Sequence, residues 1–340
     1  MEKNEVTMKD IAKHLNVSIT TVSKAFKNHP DLNKKTRDLI LKTASDMGYV
    51  KNYSASILRK KRTDIIGVLM ASATNPFYNA LFNGIESTAM ENGYHIIYAN
   101  SKRDKRIQED SIRMFLERRV DGIIIAPVDP ERDEGDRFSF RDAKGVLAFH
   151  RDGGQYDMVY TDEIKGGFKA TRHLIENGCR RIMMLNNYIL HPGSQDRIRG
   201  YRKALDTAGL DKQEELIVHC SKLDPDHRLN EGYSVVKETL EKEISFDGIF
   251  CFNDIIAYGA VKALKEMGLT IPGDVAVVGY DDLDYSPIIS PPLSSVSYSQ
   301  FEMGSRITKL LLKRLQESSL KPARIVLETK LEIRESSCRC

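Results

Sequence analysis

Several places in this 340-residue chain set reactive side chains beside the apolar runs that could hold them. Asn253-Asp254 follow the apolar run Gly248–Phe252, and Asp281-Asp282 follow Val275–Tyr280. Asn75-Pro76-Phe77-Tyr78 comes after Ile65–Met70 and opens a helical stretch. Arg197 sits in what reads as a loop-to-helix run, Ser194 to Tyr201, and Asp162 begins the second half of the body. Carboxylates, a carboxamide and a guanidinium can bond paired hydroxyls, while aromatic rings cover the apolar face of a sugar. A plainer reading stands beside this one: an Asp after a strand can be only a helix cap, and Phe77 can be core.

Catalytic chemistry has no comparable pattern. The chain contains no G-x-x-x-x-G-K-[ST], G-x-G-x-x-G, H-E-x-x-H or G-x-S-x-G, and Gly153-Gly154 or Gly166-Gly167 alone makes no phosphate loop. The five cysteines are scattered and odd in number, which suits a reducing cytosol. Cys338 and Cys340 form a C-x-C without a second pair to complete a metal site, so no metal or cofactor is expected. No apolar run reaches the roughly 18 residues of a membrane span, and the polar start lacks a signal peptide's apolar core. A cytoplasmic protein is expected.

The elements that would position these residues follow from periodicity. Strand-like runs at 65–70, 95–99, 122–126, 146–149, 181–185, 248–252 and 275–279 alternate with amphipathic stretches. These include 78–92, 108–118, 166–177, 194–208, 231–242 and 255–267. That alternation predicts an α/β body of parallel sheets flanked by helices, divided near Asp162 into two doubly wound lobes. Ligands of such sheets bind beyond the carboxyl ends of the strands, where the residues above lie.

Ahead of the body lies a basic head. Residues 1–62 hold 14 Lys/Arg against 6 Asp/Glu, a net of +8, whereas the remainder is net −5. This asymmetry marks a nucleic-acid-binding module joined to something else. Thr7 can cap a helix with Ile11, Ala12 and Leu15 apolar. Ser18 can cap a second, Ile19 to Phe26, with Val22, Ala25 and Phe26 inward. A third runs from about Lys34 to Met47, with Leu39, Ile40, Ala44 and Met47 apolar, and stops at Gly48. Two short helices with a tight break form a helix-turn-helix.

The stretch from Thr7 to Asn28, T-M-K-D-I-A-K-H-L-N-V-S-I-T-T-V-S-K-A-F-K-N, with K-T-R-D-L-I and M-G-Y after it, closely resembles the lactose/galactose repressor family. The resemblance extends through the body to R-E-S-S at Arg334–Ser337 and implies a three-helix helix-turn-helix head with a hinge helix. It further implies a two-lobed, periplasmic-binding-protein-like body of two doubly wound parallel sheets. The expected domains are 1–50, 51–62 and 63–340, with lobe 1 at about 63–161 and 293–323 and lobe 2 at about 162–292 and 324–340. In the major groove, Ile19, Thr20 and Lys24 would meet base edges. Thr7, Ser18, Thr21, Ser23 and Lys27 would meet phosphates, which position without reading sequence. Tyr49 and, in the hinge, Asn52, Ala55 and Leu58 complete the expected DNA contacts, Leu58 as a minor-groove wedge.

The family's effector positions fall on Phe77, Tyr78, His150, Asp162, Arg197, Asn253, Asp281 and Tyr298. His150 stands where many sugar-responsive relatives carry an acid, and Tyr298 where others carry Gln. The expected function is therefore a non-enzymatic transcription regulator, read as a repressor. As a homodimer, it would bind pseudo-palindromic double-stranded operator DNA under control of a small-molecule effector, a sugar first. A purine or a phosphoprotein corepressor in place of the sugar, or a sugar-modifying enzyme with a DNA-binding head, are the alternatives.

Overall fold

A computed structural model describes residues 6–49, 62–126, 144–149, 156–187, 192–220, 228–317, 319 and 321–339. Internal contacts divide the chain into two units, Met1–Thr63 and Asp64–Cys340. In the first, helices α1 (Met8–His14), α2 (Ile19–Phe26) and α3 (Lys34–Asp46) surround a small core. Ile11, Ala12, Val22, Ala25, Ile40 and Ala44 fill it, as the apolar spacing predicts. Leu39 departs from that spacing: it is 54% exposed, because Ile40 and Ala44 already occupy the one face that α3 turns inward.

Caps set the helix starts. Thr7 donates from its amide (2.8 Å) and its hydroxyl (2.6 Å) to Asp10 Oδ2. Ser18 Oγ accepts from the Thr21 amide at 3.1 Å, and Asn33 Oδ1 from the Thr36 amide at 2.8 Å. Asn16, at the break between α1 and α2, takes a φ of 52°, a left-handed conformation that asparagine tolerates.

The second unit is built on two six-stranded sheets. Into the first go β1 (Ile65–Met70), β2 (His95–Asn100), β3 (Gly122–Ile125), β4 (Lys144–Ala148) and β5 (Asp157–Thr161), with α4 (Pro76–Glu91) and α5 (Lys105–Glu117) between them. The chain then passes into α6 (Glu163–Glu176), β6 (Ile182–Asn186), α7 (Pro192–Thr207), β7 (Ile217–His219), α8 (Arg228–Glu241), β8 (Gly248–Cys251), α9 (Asp254–Glu266), β9 (Ala276–Tyr280) and β10 (Ser294–Ser297). It closes with α10 (Gln300–Gln316), β11 (Arg324–Leu327) and β12 (Lys330–Glu332). The strand orders are β11-β5-β4-β3-β1-β2 and β12-β10-β9-β8-β6-β7. Among the described residues, only the β10–β12 pairing is antiparallel.

The chain therefore crosses between sheets three times: after β5, after β10 and after β11. This differs from the expected lobe limits at 293 and 324, since β10 belongs to the second sheet and β11 to the first. Ser294-Ser295-Val296-Ser297 does not read as a strand by apolar pattern, yet Ser294 and Ser295 are fully buried. Their hydroxyls donate to the Arg334 carbonyl (2.9 Å) and to Asp254 Oδ1 (2.6 Å), which removes the cost of burying them. β11 is fixed to the first sheet by a buried fork. Arg314 bonds Asp157 through Nε (2.6 Å) and Nη2 (2.7 Å), and Asp157 also accepts from the Ala323 amide.

Candidate functional site

In the head, the face of α2 stays open. Ile19, on its first turn, is 51% exposed, and Thr20 beside it is exposed. A β-branched apolar side chain held in water at a helix start is poor packing and a good contact surface. Lys24 reaches Asp31 at 3.3 Å, an exposed pair that costs little to open. The Ser18 and Thr21 hydroxyls bond one another at 2.8 Å. Ser23 is half-buried and Lys27 exposed. Tyr49 packs its ring against Phe26, centroids 5.2 Å apart and planes tilted by 48°, so it also closes the small core. Thr7's engagement with Asp10 holds that carboxyl below its usual range. Asn52, Ala55 and Leu58 lie outside the described residues.

In the body, the named residues gather at the carboxyl ends of the strands. Asn75 caps α4 through the Phe77 amide, and Phe77 lies 8% exposed. Its ring meets Tyr78 and Phe149 at 5.2 Å each and Tyr298 at 6.2 Å. Tyr298 in turn lies 6.3 Å from Tyr280. Aromatic side chains from the first sheet's end thus run continuously into those of the second. Phe77 is a core residue and a member of this aromatic cluster together.

Arg197 occupies the second turn of α7 rather than a loop. Its guanidinium carbon lies over the rings of Tyr280 (3.5 Å to the centroid) and Phe252 (4.1 Å), a cation–π arrangement. Nε bonds Glu163 Oε2 at 2.6 Å, and Nη1 donates to the Phe252 carbonyl. Burial opposes the Arg197 charge, but Glu163, Tyr280 and Asp281 outweigh it and raise its basicity. Glycines make this placement possible: a Cβ on Gly167 would come 2.5 Å from the Arg197 carbonyl, and one on Gly166 2.2 Å from the Tyr280 hydroxyl. Gly166-Gly167 is thus a close-packing device for α6 against α7 and β9.

Asp281 follows β9 at a φ of 97° and is almost wholly buried. Tyr298 donates to it at 3.4 Å, and Gln300 donates to its carbonyl. Burial pushes the Asp281 carboxyl well above its usual range. Asp254 is different in kind. Its two oxygens accept from the Leu283 amide (2.8 Å) and from the hydroxyls of Ser286 and Ser295 (2.6 Å each). That is a structural latch, and burial lifts its pKa to about 7 against the opposing effect of those donors.

Asp282 pairs with Arg334 at 2.7 Å. Asp162 and Asn253 act as caps, accepting from the amides of Lys165 and Ile256 at 3.0 Å. His150 lies outside the described residues. Sequence reasoning missed Glu163, Phe149, Phe252 and Tyr280. The last two were legible as aromatic residues ending apolar strands, where a side chain leaves the core for the strand mouth.

The head matches the model of bacterial regulatory proteins of the lacI family over residues 7–52, and residues 171–337 match a periplasmic binding protein-like domain. The HTH-type transcriptional regulator RegA of Clostridium saccharobutylicum is 32% identical over 97% of this chain and 99% of its own length. Among solved structures, a transcriptional regulator CelR–cellobiose complex is 27% identical, with a TM-score of 0.74 over 98% of this chain and all of the other. A lac repressor dimer bound to operator and an anti-inducer is 23% identical, with a TM-score of 0.87 over 99% and 100%, a likeness of fold. No described helix is long and apolar enough to cross a membrane.

Proposed function

Because the chain belongs to the lacI family of bacterial regulatory proteins, we propose that it is a cytoplasmic, non-enzymatic repressor whose grip on operator DNA is set by a sugar. DNA binding and regulation of transcription are what the family does. The sugar, the homodimer and the pseudo-palindromic operator are the further reading, in keeping with the cellobiose and operator complexes of its structural relatives.

The observation that carries the sugar reading is the Arg197 cluster. A guanidinium pinned by Glu163 between two rings, facing a buried Asp281 and the Phe77 aromatic group, offers hydrogen bonds and ring faces together. Phe77, Tyr78, Asp281 and Tyr298 would surround the ligand, with Asp162 and Asn253 at its rim. Phe77 and Phe149 also offer flat faces, which favours a purine as the second reading. Ligand-induced closure of the lobes would shift the population of DNA-binding dimers. Ile19, Thr20 and Lys24 would read bases, with Thr7, Ser18, Thr21, Ser23, Lys27 and Tyr49 on the backbone. The hinge residues Asn52, Ala55 and Leu58 would enter the minor groove.

The test selects an operator from a randomised duplex library, then measures its affinity with glucose, cellobiose, ribose, glucose 6-phosphate, adenine or hypoxanthine present. At least one uncharged sugar should shift operator affinity fivefold or more, the usual range of such couplings. A set of unchanged affinities would rule the reading out.

A further inference from the structure

Asn186 ends β6 and is fully buried, yet neither its Oδ1 nor its Nδ2 has a hydrogen-bond partner. Its backbone carbonyl accepts from the Cys220 amide at 2.9 Å. The two preceding residues on the same face, Ile182 and Met184, are fully buried in the core that also holds Ile198, Tyr201 and Leu205. A leucine or valine would continue that face at no polar cost. A carboxamide there loses its water and gains nothing in return, an arrangement rare in folded proteins without a missing partner.

Its position says what the partner is. β6 and β8 run in register, Met184 beside Phe250 and Leu185 beside Cys251. The next step sets Asn186 beside Phe252, whose amide donates to the Leu185 carbonyl at 2.8 Å. Phe252 is the ring beneath Arg197. At the mouths of the adjacent strands β9, β8 and β6 the register thus sets Tyr280, Phe252 and Asn186 side by side, and Tyr298 follows the end of the next strand, β10. Asn186 is the far end of the mouth already described.

We infer that Asn186 is a specificity-determining residue of the effector site, unpaired until an uncharged ligand brings a hydrogen-bond donor and acceptor side by side. This rests on the proposed effector site. A carboxamide offers two N–H donors and one acceptor oxygen and carries no charge. It suits neighbouring sugar hydroxyls or the amino-and-ring-nitrogen edge of a base. Arg197, the nearby cation, is already matched by Glu163, which again favours an uncharged ligand.

The experiment uses the full chain as wild type, Asn186→Leu and Asn186→Ala. Without ligand, Asn186→Leu should raise the melting temperature by about 2–4 °C, since it fills the same space and removes the unpaired amide. Titration calorimetry with glucose, cellobiose, ribose, adenine, hypoxanthine and glucose 6-phosphate then follows. The probe that binds wild type should lose on the order of tenfold or more in both variants. A sugar as that probe assigns the hydroxyl pair, and a base assigns the ring edge.

A leucine variant that melts lower or fails to fold overturns the inference, because the carboxamide would then be satisfied. So do variants that bind a probe as tightly as wild type, or a wild type that binds only the phosphorylated sugar. The first two results leave the effector reading standing, whereas binding of the phosphorylated sugar alone also counts against its uncharged sugar. A wild type that binds no probe overturns both.

Discussion

The exposed face of α2 and the buried cluster around Arg197 are both proposed recognition surfaces, and they are built on opposite principles. On α2, the side chains that would meet DNA stand in water, and Ile19, Thr20 and Lys24 lend nothing to the head's core. Around Arg197, the groups that would meet a ligand are already bonded and stacked with one another, so recognition there cannot be separated from stability. A surface reader can be exchanged freely; a buried one carries its neighbours with it.

The sharpest way to break this comparison is to remove Arg197. Arg197→Ala leaves Glu163 without its cation in a mostly buried place, and the body should lose about 3–5 kcal/mol in urea unfolding. A loss below about 1 kcal/mol would show that the cluster is as loosely held as the α2 surface.

Next comes the pH dependence of the body. The Asp254 carboxyl titrates near 4 when unfolded and at about 7 when folded, so the folded state holds the extra proton between those values. Stability is therefore greatest below about pH 4 as far as this group is concerned, declines as pH rises toward 7, and levels off above. Asp254→Asn should flatten that decline between about pH 4 and 7 in denaturant titrations; an equally steep slope would remove Asp254 as its source.

Smaller is Lys24→Ala, which should weaken operator binding by about 1–3 kcal/mol and leave the head's melting within about 0.5 kcal/mol of wild type. Coupled losses in both would place Lys24 with the buried class. Smallest is Ser18→Ala, about 1 kcal/mol of head stability through the lost cap to the Thr21 amide. Circular dichroism melts would read it.

The same contrast explains what could be read from the chain alone. The head was legible nearly residue by residue, because short helices with caps and one apolar face are local facts: Ser18, Val22 and Ala25 need only their own neighbours. Seven of the body's strands were plain as apolar runs, but β5, β7, β10, β11 and β12 were not among them. β10 escaped notice because its serines are buried by bonds to Asp254 and Arg334, partners 41 and 40 residues away. Arg197 was singled out for the right region but placed in a loop. Its orientation depends on Gly167 and Glu163, which no periodicity connects to it. Asp254 and Asp281 look alike in sequence, each an acid after a strand, and only the donors around them tell latch from mouth.

The three crossings between sheets have a consequence in time. The head is complete by Tyr49, but the first sheet's β11 spans Arg324–Leu327, so neither half of the body can close until nearly the whole chain exists. At about 5–20 residues per second of synthesis, that interval is roughly 15–55 s. Throughout it, a folded DNA-binding head is tethered to a sensor not yet able to form, and the β5 edge that β11 will cover stays open to whatever strand meets it first.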